Sequence, residues 1–129
     1  MAIDTEAGQA APLVVVEAAR SEDAITVEVA GDIDISTSPR LRAELFRLLE
    51  DGPGVAVIDL TGVGFCDSSG LSVLVQLNRH CEESGIDLGF APSKVVHRAI
   101  ELTGLLPTLK MAGTQATTRT VPNSGSAAS

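Results

Sequence analysis

Short apolar runs of strand length recur along this chain, separated by stretches whose apolar residues fall at helical spacing. That alternation limits the fold more than any single residue does. Leu13 to Val16 is a Val-rich run, and Ala24 to Ala30 sets Ile25, Val27 and Val29 against Thr26 and Glu28, the pattern of a strand with one buried face. The polar stretch Arg20-Ser21-Glu22-Asp23 between them predicts an antiparallel hairpin. Ser38-Pro39 then supplies an N-cap and a proline at the first helical position, where its missing N–H costs nothing. Leu41, Leu45 and Leu48 form the stripe of that helix, Phe46 and Leu49 its flank, and Asp51-Gly52-Pro53-Gly54 stops it.

Val55 to Leu60 is apolar almost throughout, which predicts a strand covered on both faces, with a turn at Thr61 to Gly64. A second helix follows Phe65-Cys66-Asp67-Ser68-Ser69-Gly70 and runs to about Ser84. Leu71, Leu74, Val75, Asn78 and Cys81 share one of its faces, while Val73 and Leu77 lie off that stripe. Gly85 ends it, Ile86 to Ala91 reads as another buried strand, and Ser93 caps a third helix closed by Gly104 and Pro107. Leu105 to Met111 is expected to add a short last strand.

Strands separated by helices of this length imply parallel neighbours joined by right-handed crossovers, and the opening hairpin makes the sheet mixed. The expectation is a small α/β domain over residues 12–111, with a mixed four- to five-stranded sheet and three to four helices. With 129 residues there is room for one such domain. Residues 1–11 carry no periodic pattern and are expected to form a flexible arm. Residues 112–129 are mostly Thr, Ser, Ala, Gly and Asn with a single Arg, too poor in apolar surface to offset the entropy of ordering, which predicts a disordered tail.

Composition removes several function classes. A net charge of −8 lacks the basic footprint that nucleic acid or an anionic membrane surface requires. With no Trp or Tyr, the stacking platforms for single strands are missing too. No apolar run approaches the roughly 18 residues that span a bilayer. The segment Met1 to Pro12 carries no Lys or Arg and so does not read as a secretory signal. The two cysteines, Cys66 and Cys81, make no disulfide framework, and a reducing cytoplasm is the expected location.

In open α/β sheets function gathers where strands end and helices begin. Two such places stand out: Gly31-Asp32-Ile33-Asp34 after the second strand, and Asp67-Ser68-Ser69-Gly70 at the entrance to the second helix. Together with Asp59-Leu60-Thr61-Gly62-Val63, Phe65-Cys66 before the helix and Thr103-Gly104-Leu105 at the end of the third helix, these segments resemble the STAS family, the sulfate-transporter and anti-sigma-factor-antagonist domain. Cys66 is a departure, since the family usually has a larger aliphatic residue there. The resemblance implies a cytoplasmic anti-sigma factor antagonist. Unphosphorylated, such a protein binds an anti-sigma factor that is also a serine kinase and so frees a sigma factor for transcription. Phosphorylated by that kinase it lets go, and a protein phosphatase resets it.

The serine phosphorylated in that family corresponds to Ser68, and the acidic segment beside it points to Asp34, with Asp32, for partner binding. Asp67, Ser69 and Gly70 complete the expected contact region, and Val73 and Leu77, off the main helical stripe, are candidates to close an interface beside it. A serine at a helix entrance also sits next to backbone N–H groups that favour an added anion. Phosphorylation would bring about −1.5 to −2 charges there and repel a docked acidic partner.

Other chemistries find less support. Cys66-Asp67-Ser68-Ser69-Gly70 does not fit the Gly-x-Ser-x-Gly elbow, and His80 lies about three helical turns from Ser68, too far for a triad. His97 lies on another helix. Neither His80 and Cys81 nor Cys66 and His97 show paired metal-ligand spacing, and there is no Gly-x-x-x-x-Gly-Lys loop, so no metal or cofactor is expected. The alternatives are a STAS docking subunit in another assembly, such as a lipid-transport ATPase complex, and, remotely, a small serine hydrolase.

Overall fold

The computed structural model describes residues 11–112. Strands β1 (Val14–Arg20) and β2 (Ala24–Ile33) form the expected antiparallel hairpin, closed by a 2.8 Å hydrogen bond from the Ser21 N–H to the Ala24 carbonyl. Helix α1 (Ser38–Leu48) then crosses to β3 (Val55–Cys66), and α2 (Ser68–Ser84) crosses to β4 (Asp87–Pro92), which is followed by α3 (Lys94–Leu102). β2, β3 and β4 pair in parallel, so the four strands lie in the order β1-β2-β3-β4. The architecture is thus a mixed four-stranded sheet with three helices, as the alternation of apolar runs requires.

The period-two pattern of β2 determines what is buried. Ile25, Val27 and Val29 stand beside Ala56, Ile58 and Leu60 of β3, and all six are at most 1% exposed. Leu41 and Leu45 of α1, Leu74 and Leu77 of α2, and Val96 and Ile100 of α3 close over this face. Full burial of each large aliphatic side chain stabilises the fold by roughly 1.5–3 kcal/mol. The opposite face differs from expectation. Val55 at the start of β3 is 40% exposed and Val57 half-buried, so this strand is covered on one face only among the described residues.

Two further expectations are corrected. The stretch Leu105 to Met111 is not a strand: it forms turns and its backbone pairs with the sheet through a single parallel bridge between Phe90 and Met111. Gly104 at φ +78° and Pro107, which has no N–H to give, interrupt extended pairing there. Nor does β3 turn at Thr61 to Gly64. It kinks and continues to Cys66, with register shifts opposite Glu28 to Ala30 and Gly31 to Asp32. Asp59 holds the kink by accepting from the Thr61 N–H at 2.9 Å and hydroxyl at 2.6 Å. At Gly62 a Cβ would lie 2.9 Å from that of Ala30, so the close approach tolerates no side chain.

That continuation is what builds the site. β4 ends opposite Leu60, but β3 runs on beside β2 for six more residues, until Cys66 pairs with Ile33. A two-stranded ribbon therefore projects beyond the sheet and ends with both strands in register. Most of the expected arm (1–11) and tail (112–129) lies outside the described residues. The inner residue of each is tied down: the Ala11 carbonyl accepts from the Asp32 N–H at 3.2 Å, and the Ala112 N–H donates to Phe90 at 2.7 Å.

Candidate functional site

Because Ile33 and Cys66 are register partners, the residues that follow them, Asp34 and Asp67, leave the ribbon side by side. The Asp67 N–H donates back to the Ile33 carbonyl at 3.1 Å and joins the two strand ends. Sequence segments more than thirty residues apart are thereby brought to one tip.

Asp67 is the N-cap of α2. Its Oδ1 accepts from the Ser69 N–H at 2.9 Å, the Gly70 N–H at 3.2 Å and the Ser69 hydroxyl at 2.5 Å. These donors, the hydroxyl first, hold its carboxyl below the usual aspartate range, while desolvation and the nearby Asp34 charge work the other way. Asp34 plays a similar part for the loop into α1. Its Oδ1 accepts from the Ser36 hydroxyl at 2.7 Å, the Ser36 N–H at 2.9 Å and the Thr37 N–H at 3.1 Å, and Ser36 is the main reason its pKa is also lowered. Asp32 is engaged elsewhere: its carboxylate accepts from the Ala11 N–H at 3.2 Å, and its carbonyl accepts from the Thr37 hydroxyl at 3.1 Å. The neighbouring Gly31 sits at φ +96°, so tight against Pro12 that a Cβ would overlap its carbonyl. The three aspartates thus organise their own loops.

The two serines separate cleanly. Ser68, the first residue of α2, is exposed, and its hydroxyl has no hydrogen-bond partner among the described residues. Ser69 is half-buried, bound to Asp67 and 2.8 Å from the Ser38 hydroxyl. Gly70 is buried where a Cβ would come within 2.6 Å of Ile33 Cγ2 and 2.7 Å of Cys66 Sγ, so the first turn of α2 lies directly on the ribbon.

Some expectations about the site change. Val73 and Leu77 are 4% and 0% exposed. They belong to the core and offer no surface to a partner, because α2 is covered over a wider arc than its main stripe suggested. The helix entrance is also not a set of waiting N–H groups. Asp67 already takes those of Ser69 and Gly70 through its side chain and that of Leu71 through its carbonyl, at 3.1 Å. An anion added at Ser68 would therefore meet an occupied cap and a carboxylate. Ser38 was expected to cap α1, but Thr37 holds that position and Ser38 is buried inside the first turn.

Two exposed apolar residues beside the site went unnoticed in the sequence. Ile35, directly after Asp34, is 80% exposed, and Phe65, paired with Asp32, is 48% exposed. An isolated isoleucine in a polar loop was the available signal for the first. For Phe65 there was none, since its facing depends on the bulges.

His80 packs on Phe46, ring centroids 5.0 Å apart, towards the far end of α2, and His97 is exposed on α3. Burial pushes the Cys66 and Cys81 thiols up to about 11, so both are un-ionised at neutral pH. Among the described residues no group of three or more His, Cys, Asp or Glu is placed to hold a metal, and no helix is long and apolar enough to cross a membrane.

What these features define is a small mixed α/β domain with an acidic, serine-bearing helix entrance at the tip of a paired ribbon. The chain belongs to the STAS domain family, whose model matches residues 15–119. It is 33% identical over 91 residues to an anti-sigma-B factor antagonist of Bacillus subtilis, a match covering 70% of this chain and 83% of the relative. It is likewise 33% identical over 104 residues to the anti-sigma-F factor antagonist RsfB of Mycobacterium tuberculosis, covering 71% and 84%. The crystal structure of an anti-sigma factor antagonist from Mycobacterium paratuberculosis superposes with a TM-score of 0.72 at 27% identity, over 82% of this chain and 90% of that one.

Proposed function

We propose that this protein is an anti-sigma factor antagonist of the phosphorylation-switched kind. In its unphosphorylated form it binds a kinase-type anti-sigma factor in the cytoplasm and so releases a sigma factor for transcription. The kinase transfers a phosphoryl group from ATP to Ser68, the complex dissociates, and a protein phosphatase restores the binding form. The protein itself carries out no catalysis.

The observation that carries this reading is the state of the Ser68 hydroxyl, exposed and unpartnered among the described residues at a tip where Asp34, Asp67 and Ser69 are already hydrogen-bonded. The names of the relatives support the partner class, since those proteins oppose anti-sigma factors. Charge explains the release. A phosphate at Ser68 adds about −1.5 to −2 charges beside Asp67 and Asp34, whose lowered pKa values keep both ionised. The amides of Ser69, Gly70 and Leu71 that might have neutralised it are already bonded to Asp67, so much of its field acts outward. At ~6 Å and an effective dielectric of ~20, each unit pair with an acidic group of the partner costs about 3 kcal/mol, and even half of that, after screening, is a tenfold loss of affinity. Ile35 and Phe65 supply apolar contact area flanking this charged centre.

Incubation with the cognate anti-sigma kinase and ATP, followed by mass spectrometry, tests the reading. Phosphate on Ser68 with loss of the complex is expected. A stable complex in which Ser68 stays unmodified would instead assign the chain to a docking role.

A further inference from the structure

Ser38 is a serine that the switch described above does not use, yet it is 5% exposed and its hydroxyl is spent on the acceptor loop. It lies 2.8 Å from Ser69 Oγ and 2.8 Å from the Asp34 carbonyl oxygen, with one proton to give. Ser69 has a single hydroxyl proton, and it goes to Asp67 at 2.5 Å. Ser38 donates to the Asp34 carbonyl and keeps Ser69 Oγ within the same 2.8 Å reach, so its one proton is shared between these two acceptors. The three hydroxyl and carboxyl groups of Ser38, Ser69 and Asp67 thereby tie the first turn of α1 to the first turn of α2.

We propose that Ser38 is a positioning residue that decides which of the two adjacent hydroxyls can be phosphorylated, by locking Ser69 so that only Ser68 is presented. The proposal rests on the phosphorylation reading above. In the transfer step a serine oxygen forms a bond to the γ-phosphorus of ATP held by the kinase. The bond from that phosphorus to the β,γ-bridging oxygen breaks, ADP leaves, and the hydroxyl proton passes to the kinase's general base. For Ser68 no side-chain hydrogen bond on this protein has to break first. Ser69 must first rotate out of a half-buried position, withdrawing its proton from Asp67 and its lone pair from Ser38. Asp67 in turn loses the hydroxyl that helps orient it over the Ser69 and Gly70 amides.

The experiment uses the full chain with its cognate anti-sigma kinase and ATP, and maps phosphate on Ser68 and Ser69 by mass spectrometry. In the wild type, phosphate is expected on Ser68 alone. In Ser68→Ala only slow phosphorylation of Ser69 is expected, and Ser68→Ala combined with Ser38→Ala should take phosphate on Ser69 about tenfold faster than Ser68→Ala alone, the worth of one freed hydrogen bond. A second readout needs no kinase. In Ser38→Ala the amide hydrogens of Ser69 and Gly70 should exchange about threefold faster, while those in the last turns of α2 stay unchanged, a local loosening that general destabilisation would not produce. The two possible failures are distinct. If neither serine of the wild type accepts phosphate, the switch reading falls and this proposal with it. If Ser68 is phosphorylated but Ser69 reacts equally with and without Ser38, or its amide exchange does not change, only the role of Ser38 is overturned.

Discussion

The entrances of α2 and α3 are built to one plan and end up with different chemistry. Each follows a parallel strand, and each opens with a side-chain cap in extended conformation, Asp67 for α2 and Ser93 for α3. At α3 the serine is the cap, and its hydroxyl accepts from the Val96 N–H at 3.2 Å. At α2 an aspartate caps, so the serine moves one place on and keeps its hydroxyl free. The third helical residue differs as well. In α3 it is Val96, fully buried in the core, and in α2 it is Gly70, pressed against Ile33 and Cys66. Their surroundings also carry opposite charge, with Lys94 and Arg98 around Ser93 and Asp34 and Asp67 around Ser68. A helix start after a strand is therefore no site in itself. What makes one here is the assignment of capping to a residue other than the serine.

The largest effect should come from making the two third positions alike. Gly70→Val drives a branched side chain into Ile33 and Cys66 and should cost about 3 kcal/mol, read as a drop in thermal midpoint of more than 10 °C. A near-neutral result would mean that α2 does not sit on the ribbon as described. Removing the caps comes next. Asp67→Ala loses three hydrogen bonds and should cost about 2 kcal/mol, against about 1 kcal/mol for Ser93→Ala, and equal losses by denaturant titration would erase the distinction between the entrances.

Adding charge separates them by function. Ser68→Asp should weaken binding of the anti-sigma factor by at least about tenfold, or 1.4 kcal/mol, with the fold intact. Ser93→Asp keeps a good cap and should leave that affinity within about twofold, by calorimetry. Equal losses from both would point to general acidity instead of a local switch. The smallest effect concerns acid. Asp34 and Asp67 have folded pKa values below their unfolded ones, so their contribution to stability is complete above about pH 4 and is lost as pH falls through the lowered values. Asp67→Asn should flatten that acid limb in pH-dependent melts, and an unchanged limb would show that the lowered pKa of Asp67 contributes nothing to stability.

Much of this was legible in residue order because it depends on neighbours in the chain. The alternation in β2 specified burial directly, as did Leu41 and Leu45 of α1, although Leu49 and not Leu48 completes that buried stripe, and Asp67-Ser68-Ser69-Gly70 marked a helix entrance. Where reading failed, the deciding contact lay far away in sequence. Thr61 to Gly64 looks like a turn, and becomes strand only because β2 offers a partner and Asp59 holds the kink. Leu105 to Met111 looks like strand, but only Met111 bridges the sheet. Val73 and Leu77 looked like an outer face until the strands and helices around α2 covered them.

The chain by itself determined the class of fold, the order of its elements and the identity of the serine that stands at the second helix entrance. Those follow from local periodicity, capping and turn chemistry, which act over a few residues. Only the tertiary structure decided that Asp34 and Asp67 share one tip, that Ser38 reaches Ser69, and that of the two adjacent serines Ser68 keeps its hydroxyl free. Hydrogen bonds between residues about thirty apart have no periodic signature, because they depend on the register of β2 against β3 and on where two bulges let that ribbon end.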